Sequence, residues 1–240
     1  MIRRILLTTT ALASMSGMAL AADLGSRRPE PVFAAPLPAF TWTGFYLGGT
    51  VGAVSLSTKA SEPYFNYNCY CDTVSAETNY GGGVIAGGTL GYNYQMGNIV
   101  LGLEGDWSYT GAQTNYTDGN AYIFGRTQLT SLGTARVRLG YTPWDRTLVY
   151  ATGGFAWGQL NNALGSAYPC PSCSQGFSKT QTGWTIGGGL EQAITDHVSV
   201  KVEALYVDLG SSKGIDKCLG CKTSFSNTAV VGRVGLNIKF

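Results

Sequence analysis

The sequence predicts an all-β fold, an eight-stranded antiparallel up-and-down transmembrane β-barrel, and three observations lead to this prediction. Apolar and polar residues alternate along about eight segments of the chain, which is the periodicity of β-strands with two different faces. The N-terminus has the pattern of an export signal. Charged residues make up only 12% of the chain, about half the proportion found in a typical soluble domain.

The first 43 residues are predicted to lie outside the barrel. Residues 1–21, MIRRILLTTTALASMSGMALA, have the organisation of a cleaved secretory signal peptide, because two arginines precede an apolar run and Ala19 and Ala21 fit an A-x-A cleavage site. Residues 22–43 contain four prolines and are predicted to form an extended periplasmic lead-in. Residues 44–240 remain for the barrel.

Charge and hydropathy exclude nucleic acid as a partner and favour a membrane. Sixteen Lys and Arg residues oppose fourteen Asp and Glu residues, and two of the arginines belong to the predicted signal peptide. The mature chain is therefore neutral and lacks the basic surplus of a nucleic-acid-binding protein. Beyond the signal peptide, no stretch resembles the roughly 20 apolar residues of a membrane-spanning helix. A closed β-barrel is the other structure that satisfies every backbone group in lipid.

The alternating segments and their connections have the arrangement of a bacterial outer-membrane barrel. The predicted strands are residues 44–57, 81–95, 98–110, 126–142, 147–160, 180–193, 198–209 and 225–240. The connections are tight at 96–97, 143–146 and 195–197 and long at 57–80, 111–125, 161–179 and 210–224. Because outer-membrane barrels have short periplasmic turns and long external loops, the long connections are expected outside the cell.

The tight turns also predict which residues lie opposite each other. Counting back from each turn gives the pairs Thr89 and Glu104, Tyr92 and Leu101, Arg138 and Thr152, Arg136 and Gly154, Glu191 and Lys201, and Leu190 and Val202. Polar residues thus oppose polar residues or glycine, and apolar residues oppose apolar ones, as neighbours on one face of a sheet should.

One face of the sheet is therefore apolar and the other is charged. The apolar set is Leu47, Val51, Leu90, Leu101, Leu103, Val137, Leu139, Ile186, Leu190, Val200, Val202, Leu236 and Ile238. A Lys or Arg facing lipid at mid-depth costs about 2–4 kcal/mol, so the charged face is predicted to line the lumen. The predicted lumen charge network is Glu104, Asp106, Arg136, Arg138, Glu191, Lys201, Glu203 and Arg233.

The lumen charges are expected to close the barrel to ions. Opposite charges confined in a narrow interior should pair, because an unpaired buried charge bears a desolvation cost of several kcal/mol. Glu191 is expected to face Lys201, and Glu203 lies at a similar depth to Arg233. We therefore expect poor conductance, and we expect Arg233→Ala to raise conductance and lower stability.

Aromatic residues are expected at the two membrane interfaces, where Trp and Tyr concentrate. The predicted band at the tight-turn end is Trp42, Phe45, Tyr92, Tyr94, Tyr141, Trp144 and Phe240. The predicted band at the long-loop end is Trp107, Tyr109, Trp157, Trp184 and Tyr206.

Three features resemble a known family: FTWTGFYLGGTVG at residues 40–52, VYATGGFAWG at residues 149–158, and a last strand that ends in Phe240. Together they are similar to the small surface-antigen barrels of alphaproteobacterial outer membranes, often labelled porin-like. The resemblance implies an eight-stranded barrel and a structural or surface-exposed role. It also implies that Phe240 is the assembly signal for the barrel-insertion machinery. Its environment would be outer-membrane lipid and lipopolysaccharide.

Six cysteines form three close pairs outside the pattern of that family, and all lie in predicted external loops. They are Cys69 with Cys71, Cys170 with Cys173, and Cys218 with Cys221. Because exported thiols oxidise, disulfide bonds are the favoured interpretation, with a cysteine metal site as the alternative. Six cysteines allow 15 connectivities, which spacing alone does not resolve.

The remaining sequence features do not indicate an enzyme or a cofactor. His197, the single histidine, lies in a predicted periplasmic turn, and the Gly-Gly pairs lack the spacing of a phosphate-binding loop. Three hypotheses remain: a structural surface-display barrel, a narrow or gated porin, and a receptor or adhesin that binds a host or surface ligand through cysteine-braced loops. An eight-stranded barrel is just wide enough for side chains to fill it, which argues against an open channel.

Overall fold

The computed structural model describes residues 40–65, 71–117, 123–166, 175–215 and 222–240. The predicted signal peptide and most of the predicted lead-in lie outside this part of the chain. Its strands are β1 (Gly44–Phe65), β2 (Cys71–Met96), β3 (Ile99–Thr110), β4 (Gln113–Thr117), β5 (Ile123–Trp144), β6 (Thr147–Ser166), β7 (Gln175–Ala193), β8 (Val198–Ile215) and β9 (Lys222–Lys239).

The strands close into an antiparallel barrel. Strands that follow one another in the chain are paired, except β3 and β4, and β1 pairs with both β2 and β9. Strands β3 and β4 both lie between β2 and β5 and are separated only by residues 111–112, where the Leu129 N–H donates to the Ala112 carbonyl at 2.9 Å. They form one interrupted strand of the wall. The prediction of an eight-stranded barrel is therefore confirmed.

Most of the predicted register is confirmed, with an exception at the first tight turn. Four predicted pairs on β5 to β8 are present as expected. The first turn lies at residues 97–98, with Gly97 at φ +60°, so Thr89 lies opposite Asp106 and Tyr92 opposite Leu103. The predicted pairing of Thr89 with Glu104 was wrong by two residues. Because side chains alternate with period two, this error left the assignment of faces intact.

The strands extend much further than predicted at the end opposite the tight turns. Strands β1 and β2 stay paired up to Phe65 and Cys71, and much of the predicted long connections is strand. A membrane-spanning β-strand needs about 9–11 residues, whereas β1, β2 and β5 to β9 have 18 to 26. Both faces of a strand meet water outside the bilayer, so alternation fades there while backbone pairing continues. About half of each long strand therefore projects beyond the membrane.

The outer surface carries the predicted apolar face. All thirteen members of the predicted set are exposed, with 40–65% of their surface free, as expected for side chains that contact lipid. No helix among the described residues is long and apolar enough to cross a membrane.

The aromatic residues largely form the two predicted bands. At the tight-turn end all but Trp42 are exposed, and at the other end Trp107, Tyr109, Trp184 and Tyr206 are exposed. Trp157 is half-buried and packs on Trp107, with 6.1 Å between ring centroids. The prediction for Trp42 was wrong: its side chain is buried at the mouth of the lumen. Trp42 is an even number of residues from the inward-facing Tyr46 and an odd number from the outward-facing Phe45. The alternation of the strand therefore predicts an inward Trp42.

Candidate functional site in the barrel lumen

The eight predicted lumen charges come together at one depth inside the barrel, and we refer to them as the charged layer. They alternate with lipid-facing residues on β3, β5, β7, β8 and β9, so each side chain points inward. All eight are buried, with at most 6% of their surface exposed. Four are carboxylates and four are cations, so the charged layer carries no net charge.

Glu104 is the centre of one half of the charged layer. Its Oε2 atom lies 2.9 Å from Lys201 Nζ and 3.3 Å from Arg138 Nη1, and its Oε1 atom is paired with Arg136. The hydroxyl of Tyr46 donates a hydrogen bond to Glu104 Oε2 at 2.7 Å. One buried carboxylate thus meets three cations and a phenol.

Arg136 and Arg233 bind two more of the carboxylates, Asp106 and Glu203, at the same level. Arg233 Nη1 and Nη2 lie 3.0 and 3.1 Å from the two oxygens of Asp106, and Nη2 also lies 2.8 Å from Glu203 Oε1. Arg136 bridges the two halves, because it contacts Glu104, Asp106 at 3.0 Å and Glu203 at 2.8 Å. Register supports these contacts, since Glu104 lies opposite Arg136 and Glu203 opposite Arg233.

Glu191 pairs with Arg138 and not with the residue opposite it. Glu191 and Lys201 are neighbours in register, but the Glu191 Oε2 atom lies 2.7 Å from Arg138 Nη2, while Lys201 reaches Glu104. Ser199 Oγ and Asn237 Nδ2 donate to the other oxygen of Glu191 at 2.6 and 2.7 Å. The expected Glu191–Lys201 ion pair was therefore wrong, because long side chains reach across the lumen in preference to the adjacent strand.

Two tyrosines that were not among the predicted lumen residues contact the charged layer. The Arg138 guanidinium lies 3.9 Å from the ring centroid of Tyr150 and 5.6 Å from that of Tyr46, and the Tyr150 hydroxyl donates to Glu203 at 2.9 Å. A Cβ on Gly91 would lie 2.3 Å from the Tyr46 hydroxyl, and one on Gly189 would lie 2.7 Å from that of Tyr150. Inward glycines thus provide the space for the tyrosines. The inward orientation of Tyr46 could have been predicted, because it alternates with the outward-facing Phe45.

An apolar layer fills the lumen on the outer side of the charges. Its members are Val54, Leu56, Ile85, Ala112, Leu129, Leu132, Ala156, Leu160, Leu205, Val207, Leu209, Ala229 and Val231. Strand β7 contributes glycines instead: a Cβ on Gly187 would meet Leu205 Cδ2 at 2.7 Å, and one on Gly183 would meet the Leu209 Cα at 2.9 Å. The apolar layer therefore involves every strand of the wall. The charges that line the interior were predicted from the sequence, whereas this second layer was not.

Neutral polar side chains lie beyond the apolar layer, further from the tight turns. Asn227 accepts a hydrogen bond from Thr58 at 2.9 Å and donates one to Gln181 at 3.0 Å, and Thr127 donates to Asn162 at 2.8 Å. All five are buried, so the side chains fill the lumen at this level as well.

A smaller apolar cluster closes the tight-turn end of the lumen. It comprises Trp42, Val100, Leu148, Tyr150 and Ala193, with Phe40 packed against it. The charged layer consequently lies between two apolar regions.

Among the described residues, no group of three or more His, Cys, Asp or Glu side chains is arranged to hold a metal ion.

The other predicted site residues lie away from the lumen or outside the described residues. Phe240 is exposed, and its N–H donates to the Phe45 carbonyl at 2.9 Å. His197 lies in the turn between β7 and β8, with Nδ1 3.1 Å from the Lys239 carbonyl. Cys71 begins β2, but its side chain and the five other cysteines lie outside the described residues. The disulfide and metal interpretations remain predictions.

The sequence matches proteins of known location along nearly its whole length. Residues 8–239 match the family described as outer membrane protein beta-barrel domain. The chain is 35% identical over 241 residues to the 31 kDa outer-membrane immunogenic protein of Brucella melitensis, covering 95% of this chain and 98% of that protein. It is 30% identical over 204 residues to the 22 kDa outer membrane protein of Rhizobium leguminosarum, covering 85% of this chain and 80% of that protein.

A solved structure has the same fold. The outer membrane protein OprG from Pseudomonas aeruginosa matches with a TM-score of 0.51 and 12% sequence identity, over 82% of this chain and 96% of that chain. At this identity the likeness concerns the fold alone.

Proposed function

Because this chain belongs to the outer membrane protein beta-barrel domain family, we propose that it is a structural, surface-exposed protein of the outer membrane whose lumen does not conduct. The observation that carries the proposal is the stacking of the charged layer against the apolar layer. Fixed ion pairs leave no uncompensated charge to attract ions. The apolar layer, in which Ser108 and Thr185 are interspersed, offers a permeating ion few polar contacts in exchange for its water shell.

The position of the charged layer gives the lumen two independent seals. On β8 the inward side chains run from Lys201 and Glu203 to Leu205, Val207 and Leu209 in consecutive inward positions. An ion that passed the charges would still have to cross three levels of buried apolar side chains. A narrow or gated porin, the alternative, requires both seals to open together.

Conductance in a planar lipid bilayer tests the sealed lumen. We expect the purified, folded protein to give no steady channels above the bilayer baseline. Leu205→Ser weakens the apolar layer and Arg233→Ala weakens the charged layer, and we expect measurable current only when the two are combined. Val202→Ser, on the lipid face of the same strand, is the matched control for Leu205→Ser. Large, steady channels from the unaltered protein would refute the sealed lumen and favour the porin.

The surface-exposed role rests on the length of the strands. Strands of 18 to 26 residues carry the wall well past the roughly 10 residues needed to cross lipid, so the external connections are presented on a paired β-sheet. The names of the Brucella relatives describe immunogenic outer-membrane proteins. We propose that the projecting strand ends of this chain are likewise accessible to antibodies.

Antibody binding to intact cells tests this display role. Antibodies raised against the folded protein should label unbroken cells, and shortening β1 and β2 together above the bilayer should remove much of that labelling while the barrel still folds. Labelling only after the outer membrane is broken would contradict the proposal. A receptor or adhesin would in addition bind host cells or a purified surface ligand. If the projecting strand ends carry that activity, the variant with shortened β1 and β2 should lose this binding as well.

We also propose that the protein is not an enzyme and that Phe240 directs its insertion. The only histidine lies in a tight turn against a backbone carbonyl, a position that supports a structural role for it. Phe240 is exposed on the outer surface, and its N–H donates to the Phe45 carbonyl, an accessible position that supports recognition by the barrel-insertion machinery. Outer-membrane lipid and lipopolysaccharide are the expected surroundings of the exposed apolar face.

A further inference from the structure

Residues 40–43, which precede β1, lie across the tight-turn mouth of the lumen, and we call them the strap. Trp42 belongs to one buried apolar cluster with Leu148 and Tyr150 of β6, Val100 of β3 and Ala193 of β7. In the order of strands around the barrel, β6 is opposite β1. A residue just before β1 reaches side chains of β6 only by crossing the lumen. The strap therefore covers the mouth instead of continuing the wall.

Contacts from several strands hold the strap in place. The Trp42 N–H donates to Gln95 Oε1 at 2.7 Å, and the Gln95 N–H donates to Thr43 Oγ1 at 3.0 Å. At the other end, Lys239 Nζ donates to the carbonyl of Thr41 and lies 4.4 Å from the Phe40 ring centroid. These contacts tie the strap to the ends of β2 and β9.

The aromatic side chains of the strap add packing to these tethers. Phe40 and Trp42 meet edge to face with 5.1 Å between their ring centroids, and the Arg146 guanidinium lies 5.1 Å from the Phe40 ring. Edge-to-face and cation–π contacts of this kind stabilise a segment beyond its buried area. Gly44 joins the strap to β1 at φ +143°, and a Cβ there would lie 2.6 Å from the Phe240 carbonyl oxygen. This glycine allows the chain to turn from the wall into the mouth.

A small cavity of about 10 Å³, room for about one water molecule, lies between the strap and the charged layer. Its lining includes Phe40 and Trp42 of the strap, Tyr46 and Glu191 at the charged layer, and Asn93 and Ser199 between them. Trp42 Nε1 and Asn93 Oδ1 are both buried without a hydrogen-bond partner in the structure. A donor and an acceptor left open on one cavity are the groups that a water molecule satisfies.

We propose that the strap is a cover that keeps periplasmic water and small ions away from the charged layer. Loss of the strap would open the lumen as far as Tyr46 and Glu191, and the apolar layer would stop passage beyond that depth. The strap thus seals the inner end of the lumen independently of the apolar layer. Failure of this proposal is distinguishable from failure of the sealed lumen, because access to the inner end of the lumen and through-conductance are measured separately.

Thiol labelling at Ser199 tests the strap directly. Ser199→Cys puts a thiol in the cavity wall, and the reagent is a charged methanethiosulfonate applied to the full-length protein in lipid nanodiscs. Peptide-resolved mass spectrometry separates this thiol from the native cysteines. We expect slow labelling with the strap intact and labelling at least about tenfold faster when Phe40→Ala and Trp42→Ala are combined, because loss of packing raises the population of locally open states.

Control variants keep the test decisive. Phe45→Ala removes an exposed aromatic side chain two residues after the strap and should leave the labelling rate unchanged. Val207→Cys, in the apolar layer, should stay unlabelled in every background. If the double variant fails to fold, Gln95→Ala releases the Trp42 tether without removing the aromatic packing and should also accelerate labelling. Fast labelling of Ser199→Cys with the strap intact, or no acceleration in any folded strap variant, would overturn the proposal.

Discussion

Replacement of Glu104 by Gln should destabilise the barrel more than any comparable surface change. The substitution keeps the shape of the side chain and removes the charge that Arg136, Arg138 and Lys201 share. Lys201 is 1% exposed and its ion pair in the described structure is with Glu104, so the variant leaves it buried without a counterion. Removal of one partner from a buried ion pair costs about 3–5 kcal/mol. We expect a loss of that size in the free energy of unfolding.

Equilibrium unfolding in urea from lipid vesicles, followed by tryptophan fluorescence, measures this loss. The matched control is Asp196→Asn, which breaks the 2.6 Å ion pair with Arg146. The Arg146 side chain is 44% exposed and the Asp196 side chain is 70% exposed. Exposed pairs contribute about 0–1 kcal/mol. Adding Lys201→Met to Glu104→Gln should recover part of the loss, because it removes the stranded charge. A loss for Glu104→Gln no larger than that for Asp196→Asn would refute the reasoning.

Three further predictions concern the seals, assembly and the cysteines. Arg233→Ala alone should lower the unfolding midpoint because Asp106 and Glu203 each lose a partner. The charges alone led us to expect a rise in conductance from this change, but the apolar layer found in the structure revises that expectation to current at the baseline. A rise in current would show that the charges are the only seal. Deletion of Phe240 should reduce the folded, heat-modifiable form in the outer membrane while export continues, and normal levels of that form would contradict the assembly role. Reduction of the cysteines should change protease sensitivity of the external connections without unfolding the barrel, and six free thiols in the unreduced protein would contradict the disulfides.

The sequence predicted the barrel well where lipid imposes a rule on every second residue. Leu101 and Leu103 must face out and Glu104 and Asp106 must face in, so strand identity and facing followed from alternation alone. The interior apolar layer was not predictable by the same rule. Leu205 and Val207 face the lumen, which accepts apolar side chains as readily as the charged Lys201. Residue type therefore does not distinguish them from the lipid-facing Val200 and Val202, and only the alternation along the whole strand does.

The partners within the charged layer were harder to predict than its membership. Register gives the residue on the adjacent strand, but the distance across an eight-stranded lumen is within reach of Lys and Arg side chains. Lys201 therefore pairs with Glu104 across the lumen and not with Glu191 beside it. The Trp42 position was missed for a related reason, since an aromatic near the end of a strand was assigned by its type and not by its parity with Tyr46.

A buried ion network is weak evidence for stability in itself, because well-packed apolar residues often stabilise as much. Its stronger effect in this barrel is on strand register. A slip of one residue in β5 would turn Arg136 and Arg138 toward lipid, at about 2–4 kcal/mol for each near the midplane. The inward leucines give no such protection, because Leu205 turned outward would be as well accommodated in lipid as Val202. The apolar layer thus closes the lumen, whereas the charged layer specifies which face of each strand points into it.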